Sequence, residues 1–178
     1  MALNATIHRC TLQVSDLDRS YYHSHHLTVA CHPSETDERM MVRVLAFALN
    51  AAENLNFSRG LSQDDEPALW QHSLSGETLL WIDVGQPDEK RIKKACSRSK
   101  NVAIYCYQHR AATVWWAQLA DRLERFDRLK VFKLPDGIGS QLANLAQRNM
   151  DLQCTVQDGE IWLSDESGSV QFSLERLR

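Results

Sequence analysis

The sequence predicts an α/β fold (α+β, mixed sheet): a core sheet with parallel crossovers, and an N-terminal hairpin and C-terminal antiparallel strands that suggest an extra antiparallel layer. Three observations lead there. Strand and helix patterns alternate from residue 78 to residue 134, the pattern of parallel crossovers. The first 30 residues alternate apolar and polar side chains around an SDLD turn, which reads as a hairpin. The last 28 residues contain two turn signals between short alternating runs, which reads as a meander.

The elements follow in order. Thr6, His8, Cys10, Leu12 and Val14 line one face of a strand, and residues 20–30 return as a second. Ser34 is the expected N-cap of a helix, with Asp37 three residues on. Met40, Met41, Val44, Leu45, Ala48 and Leu49 recur at helical spacing, so the helix is amphipathic. Residues 55–60 form a strand. PALWQHS reads as a strand or, capped by Asp65, as a short helix. Residues 78–84 are a strand, 88–99 a helix, 102–107 a buried strand, 110–126 a helix and 129–134 a strand. A helix near 137–148 precedes strands at 151–157, 160–164 and 169–175.

With 178 residues, 43% of them hydrophobic, the chain can bury one sizeable core, and residues 1–178 read as a single domain. The formal charge of −3 and isoelectric point near 6.1 exclude a globally basic nucleic-acid binder but leave room for a local basic face. The N-terminal residues carry no apolar run of a secretory signal, and no stretch approaches the ~20 apolar residues of a membrane span. Five cysteines, an odd number with no CxxC pair, fit reduced thiols in the cytoplasm better than disulfides or structural zinc.

Asp83 is the first candidate for chemistry. It closes an apolar strand at the start of a parallel crossover, where open sheets bind ligands. A carboxylate there can hold a divalent cation, or simply cap the next helix or pair with a lysine. The next helix is strongly basic, with Lys90, Arg91, Lys93, Lys94, Arg98 and Lys100. Such a run suits a phosphodiester substrate, or is a solvated face. Asp37 and Glu38 fall inside the apolar stripe of the first helix, where acids need a partner or a metal, although the helix dipole accounts for either one. Asp64, Asp65 and Glu66 precede Pro67 and read as a polar loop or as part of a metal site. His23 and His25 share a strand face without an evident fourth zinc ligand. Trp115 and Trp116 read as helix core, and Tyr105, Tyr107 and His109 as strand alternation or a groove wall. Walker, GxGxxG and GxSxG motifs are absent from the sequence.

PSETDERMMVRVLAFALNAAENLNFSRGLSQDDEPALW, WIDVGQPDEKRIKKAC and QDGEIWLSD together resemble the YaeQ family of bacterial proteins, nearly end to end. The resemblance implies a variant of the PD-(D/E)XK (restriction endonuclease-like) nuclease fold: a helix, a three-stranded meander, a crossover helix and a further strand. The nuclease-like core would span about 34–134, with flanking strands in 1–30 and 150–176. It further implies a Mg²⁺ or Mn²⁺ site built from Glu38, Asp65 (or Glu66) and Asp83, and action on nucleic acid. The metal would polarise a phosphate and help activate water, and a lysine would stabilise developing charge. The family pattern departs here, since Asp83-Val84-Gly85 has glycine where that lysine belongs. Lys94 or Arg91, reaching back from the crossover helix, would supply the charge, and Lys90, Arg91 and Lys93 would contact substrate. The alternative is a catalytically inactive binding or regulatory module on the same scaffold.

Overall fold

In this computed structural model, residues 4–59 and 65–178 are described. The first elements in chain order are β1 (Thr6–Asp16), β2 (Tyr21–Cys31), α1 (Asp37–Asn50), β3 (Leu55–Phe57), β4 (Leu69–His72) and β5 (Thr78–Val84). Then come α2 (Glu89–Arg98), β6 (Ser99–Cys106), α3 (His109–Leu123), β7 (Leu129–Lys133) and α4 (Ile138–Ala143). The chain finishes with β8 (Asn149–Gln157), β9 (Glu160–Ser164), β10 (Ser169–Ser173) and β11 (Glu175–Arg176).

The α1 helix organises these elements. The periodicity predicts one apolar stripe, yet every residue from Met40 to Ala48 is buried, Arg43 included. A helix covered on all sides needs apolar neighbours on more than one side. Here they are two sheets: α1 packs on β1 and β2 in one direction and on β3 and β5 in the other, with α4 alongside. Its N-cap is Thr36, whose hydroxyl accepts from Arg39 N at 3.1 Å. Ser34, the expected cap, instead shares a 2.7 Å hydrogen bond with the His32 ring.

The first sheet runs β10-β9-β8-β1-β2. The N-terminal hairpin pairs antiparallel, from Thr6 opposite Cys31 to Asp16 opposite Tyr21. The C-terminal meander then joins it through a parallel pairing of β1 with β8. The hairpin and meander, expected to add an extra antiparallel layer, do form one sheet, but the seam between them is parallel. Asp18, in the first turn, fastens the join by accepting from the backbone N–H groups of Asp158 (2.7 Å) and Gly159 (2.9 Å). Those two residues have φ of 50° and 77°, as a two-residue type I′ hairpin turn requires.

The second sheet runs β11-β7-β6-β5-β4-β3. Strands β3, β4 and β5 form an antiparallel meander, and PALWQHS is a strand. Strands β5, β6 and β7 are parallel, with α2 and α3 as crossovers. The terminal β11 pairs antiparallel with β7. The layers are thus sheet, helix (α1, α4), sheet, helix (α2, α3). One core, including Leu12, Met41, Leu45, Ile82 and Leu152, fills the space around α1. A second, including Trp81, Ile92, Ile104 and Leu123, lies between the second sheet and α2–α3.

Several local expectations change. The α4 helix is six residues long and stops at Ala143, well short of 148. Trp115 and Trp116 are half-buried at the margin of the second core, and Trp115 Nε1 donates to Pro87 O at 2.7 Å. His23 and His25 do share a face, but with aromatic neighbours: Tyr21 Oη hydrogen-bonds His25 Nε2 at 2.8 Å and His25 meets Phe47 edge-on. All five cysteines are free. Burial pushes the thiols of Cys10, Cys106 and Cys154 up to about 12, so they remain protonated at neutral pH. Among the described residues no helix is long and apolar enough to cross a membrane.

A buried ion pair ties the start of α1 to the first sheet. Arg43 donates from Nε to Glu35 (3.0 Å) and from Nη2 to the Ala30 carbonyl (2.9 Å), and Arg39 pairs with the same carboxylate. The Glu35 side chain is 1% exposed and that of Arg43 is 4% exposed. Glu35→Ala leaves the Arg43 charge buried without its acid, and urea unfolding is expected to read a loss of roughly 3–5 kcal/mol. An unchanged midpoint and slope in that variant would show that the pair is energetically neutral.

Candidate functional site

The site forms where β5 ends and α2 begins. Ile82 and Val84 belong to the core around α1, whereas Trp81 belongs to the core under α2. Side chains alternate along a strand, so Asp83 faces the same way as Trp81, toward α2. It is buried, at 4% exposure. Trp81 Nε1 donates to its Oδ2 at 3.1 Å. Arg91 grips both oxygens, Nε to Oδ2 at 2.9 Å and Nη2 to Oδ1 at 2.9 Å. The same Nη2 donates to the Glu66 carbonyl at 2.7 Å. Planar two-point contact of this kind is the strong form of a charged hydrogen bond.

Arg91 reaches Asp83 because α2 begins close by. Asp88 caps the helix, accepting from Arg91 N at 2.8 Å, which puts Arg91 in the first turn above the end of the strand. Lys94 lies one turn further along the same face and pairs with Asp65. Contact with Lys94 holds the Asp65 carboxyl below its usual range, with Arg98 and Arg91 adding to the effect. Glu66 is held below its usual range by hydrogen bonds from the Arg59 side chain (2.8 Å from Nε) and backbone (3.1 Å).

Gly85 has a φ of +102°, a conformation that suits glycine and strains any L side chain. The chain leaves the sheet there, with Gly85 N donating to Tyr105 O at 2.9 Å. The missing strand lysine is therefore part of a different backbone path, in addition to being a change of side chain.

Of the expected site residues, Asp83, Asp65, Lys94 and Arg91 come together around the start of α2. Glu38 stands elsewhere, on the α1 side of the sheet, against Gly139 of α4, where any Cβ would overlap its carboxylate. Lys93 pairs with Glu89 at 2.8 Å, and Glu89 also binds Arg122 of α3 at 3.2 Å. Lys90 is exposed. Asp64 lies outside the described residues. Among the described residues no group of three or more aspartates, glutamates, histidines or cysteines is arranged to hold a metal ion. The donor set does not fit Mg²⁺ or Mn²⁺ in this arrangement: Asp83, Asp65 and Glu66 each have a cation of the chain on their carboxylate, and Glu38 is on the other side of the sheet. Sequence reasoning missed Trp81 and Arg59 as partners. The alternation Trp81-x-Asp83 was the available signal for the first, and nothing in the sequence announced the second.

Comparison with known proteins identifies the family and the overall fold. The family profile described as YaeQ protein matches residues 1–174. The chain belongs to the YaeQ family. A relative from Salmonella typhi, described as an uncharacterized protein YaeQ, is 48% identical over 174 residues, which is 98% of this chain and 96% of the relative. The protein of the same description from Escherichia coli K12 is 47% identical over the same shares. The crystal structure of YaeQ protein from Xanthomonas axonopodis pv. citri superimposes with a TM-score of 0.95 at 46% identity, covering 98% of both chains. That of the Pseudomonas syringae YaeQ protein gives 0.93 at 34% identity, covering 98% of this chain and 96% of the other. These solved structures show the mixed α/β architecture with high coverage.

Two outcomes are expected at this site. Asp83→Ala leaves the Arg91 guanidinium and Trp81 Nε1 without their acceptor, and chemical denaturation should read a loss of roughly 2–3 kcal/mol, less for Asp83→Asn. The acid limb of stability should also depend on the neighbouring pairs. Asp65 and Glu66 have depressed pKa values in the fold, so their contribution is present above the ordinary carboxylate range, near pH 4, and is lost as pH falls through the depressed values. Arg59→Ala should flatten that limb in a pH series of urea midpoints, and an unaltered limb would remove Glu66 from the account.

Proposed function

We propose that this chain is a metal-independent, non-catalytic nucleic-acid-binding module on a nuclease-like scaffold. The observation that carries the reading is charge asymmetry. Residues 88–133 contain twelve lysines and arginines against five aspartates and glutamates, in a chain whose formal charge is −3. Both helices of this segment pack on the same face of the second sheet, so Lys90, Lys93 and Arg98 of α2 and Arg110, Arg122 and Arg125 of and beside α3 are exposed on one outer layer. A face of this kind attracts a phosphate backbone without reading bases. The order α1, meander β3–β5, α2, β6 supports the nuclease-like scaffold. The pairing of Asp65, Glu66 and Asp83 with cations of the chain supports the inactive form.

A second reading is a Mg²⁺- or Mn²⁺-dependent phosphodiesterase using Glu38, Asp65, Asp83 and Lys94. The convergence of Asp65, Asp83, Lys94 and Arg91 at the start of α2 favours it.

Anisotropy of labelled single-stranded and duplex DNA and RNA, titrated in EDTA, tests the first reading. Binding should be measurable, should weaken with salt, and should weaken for all sequences alike in Lys90→Ala/Lys93→Ala/Arg98→Ala. The slope of log K against log salt should fall by roughly one per phosphate-contacting cation removed. Binding that is absent in the wild type, or unchanged in the triple variant, would overturn it. Calorimetry with Mn²⁺ should show no saturable heat. Saturable heat that Asp83→Ala abolishes would restore the second reading.

A further inference from the structure

On the opposite face of the second sheet, between the two sheets and beyond the C-terminal end of α1, lies a cleft of about 630 Å³. That volume falls within the roughly 300–1,000 Å³ range of small-molecule sites. Its construction is independent of the outer cationic layer. The first sheet supplies Val156 and Ile161, the second supplies Leu80, Ala103, Tyr105 and Phe132, and α1 supplies Leu49 and Asn50. Tyr105 and Phe132 are stacked at 5.2 Å with 20° between their planes. The Tyr105 hydroxyl is fixed by Asn50 Nδ2 at 2.8 Å. The body of the cleft is therefore apolar and aromatic, and its walls are anchored.

The charges lining it do not cancel. Two acids and three cations contribute: Asp16, Asp18, Arg19, Arg128 and Lys130. Both acids are engaged. Asp16 binds Arg19 at 2.7 Å, and Asp18 accepts the turn amides of Asp158 and Gly159. Arg19 is engaged as well, since its guanidinium also donates to Ala51 O (3.2 Å) and Ala48 O (3.4 Å) at the end of α1. Arg128 and Lys130 remain. Both are exposed, and neither has an ion-pair partner among the described residues. Lys130 is two residues from Phe132 on β7, so strand alternation sends both side chains to the cleft face.

We infer that the cleft between the sheets binds a small amphipathic organic anion. Its apolar body packs against the Tyr105–Phe132 stack and Ala103, and its carboxylate, sulfonate or phosphate head lies at Arg128 and Lys130. Apolar burial supplies most of the affinity, and the two cations select the sign of the head group.

The test uses the full chain and two kinds of probe. Anilinonaphthalene sulfonate is titrated by fluorescence, and decanoate and decylamine are then used as competitors. One saturable site is expected, with decanoate displacing the dye and decylamine, the same tail with a cationic head, failing to. Arg128→Glu/Lys130→Glu should weaken binding of both anions at least tenfold, with circular dichroism confirming the fold. Ala103→Leu should weaken them by narrowing the body of the cleft. Arg98→Glu/Arg125→Glu, on the outer layer, should leave the affinity unchanged. Absence of a saturable site, equal displacement by decylamine, or full affinity in the charge-reversed variant would each overturn the assignment. A loss equally large in Arg98→Glu/Arg125→Glu would move the dye to the outer layer and also overturn it.

Discussion

The burial of α1 on every side is the constraint from which the rest of the architecture follows. Nine consecutive residues, Met40 to Ala48, have no solvent face, so a single sheet cannot satisfy them. A second sheet must cover the other side, and the chain builds it from its two ends. The one charged residue in that run, Arg43, is compatible with burial because Glu35 and the Ala30 carbonyl meet it. The same requirement leaves the space beyond the last turn of α1 open. The cleft lined by Leu49, Asn50, Tyr105 and Phe132 lies there.

At the other end of the second sheet, geometry separates two ideas that sequence combines. A carboxylate at a strand end beside a basic helix is equally a metal ligand and an ion-pair partner. The alternation of Trp81 and Asp83 against Ile82 and Val84 decides which side the carboxylate takes, and on that side it meets Arg91. Glu38, on α1, is on the other side. A divalent ion at Asp83 would have to replace a two-point guanidinium contact and an indole hydrogen bond in a buried place. Asp65, Glu66 and Asp83 are thus each matched by a cation of the chain, while Lys90, Arg98, Arg110 and Arg125 are exposed on and beside α2 and α3.

Much of the fold was legible in residue patterns. The alternation of residues 6–14, the helical spacing from Met40 to Leu49 and the strands at 78–84 and 102–107 were readable because each is a local, periodic signal. What was not legible is non-local. The hairpin and meander suggested an extra layer, but no local pattern says that β1 pairs with β8, or that α1 lies between the two sheets. The N-cap was misplaced by two residues because serine is intrinsically the better cap, and only the path of the chain out of β2 selects Thr36 instead. At the site, the residue types at 65, 83, 91 and 94 were readable, and Arg91 had been named as able to reach back. Their pairing was not, since Arg59 and Glu66 meet across a loop and Gly85 conceals a change of backbone direction.

The parallel seam between β1 and β8 has a consequence for how the chain is made. His8 and Gln147, 139 residues apart, already touch across it at 2.8 Å. A ribosome adding ~5–20 residues per second needs on the order of ten seconds to supply the second strand after the first has emerged. Throughout that interval the hairpin β1–β2 has a bare edge, because β8, β9 and β10 of its sheet are still missing. Long-range pairing of this kind slows folding and prolongs the exposure of strand edges. The first sheet can therefore close only after β8, β9 and β10 have been added.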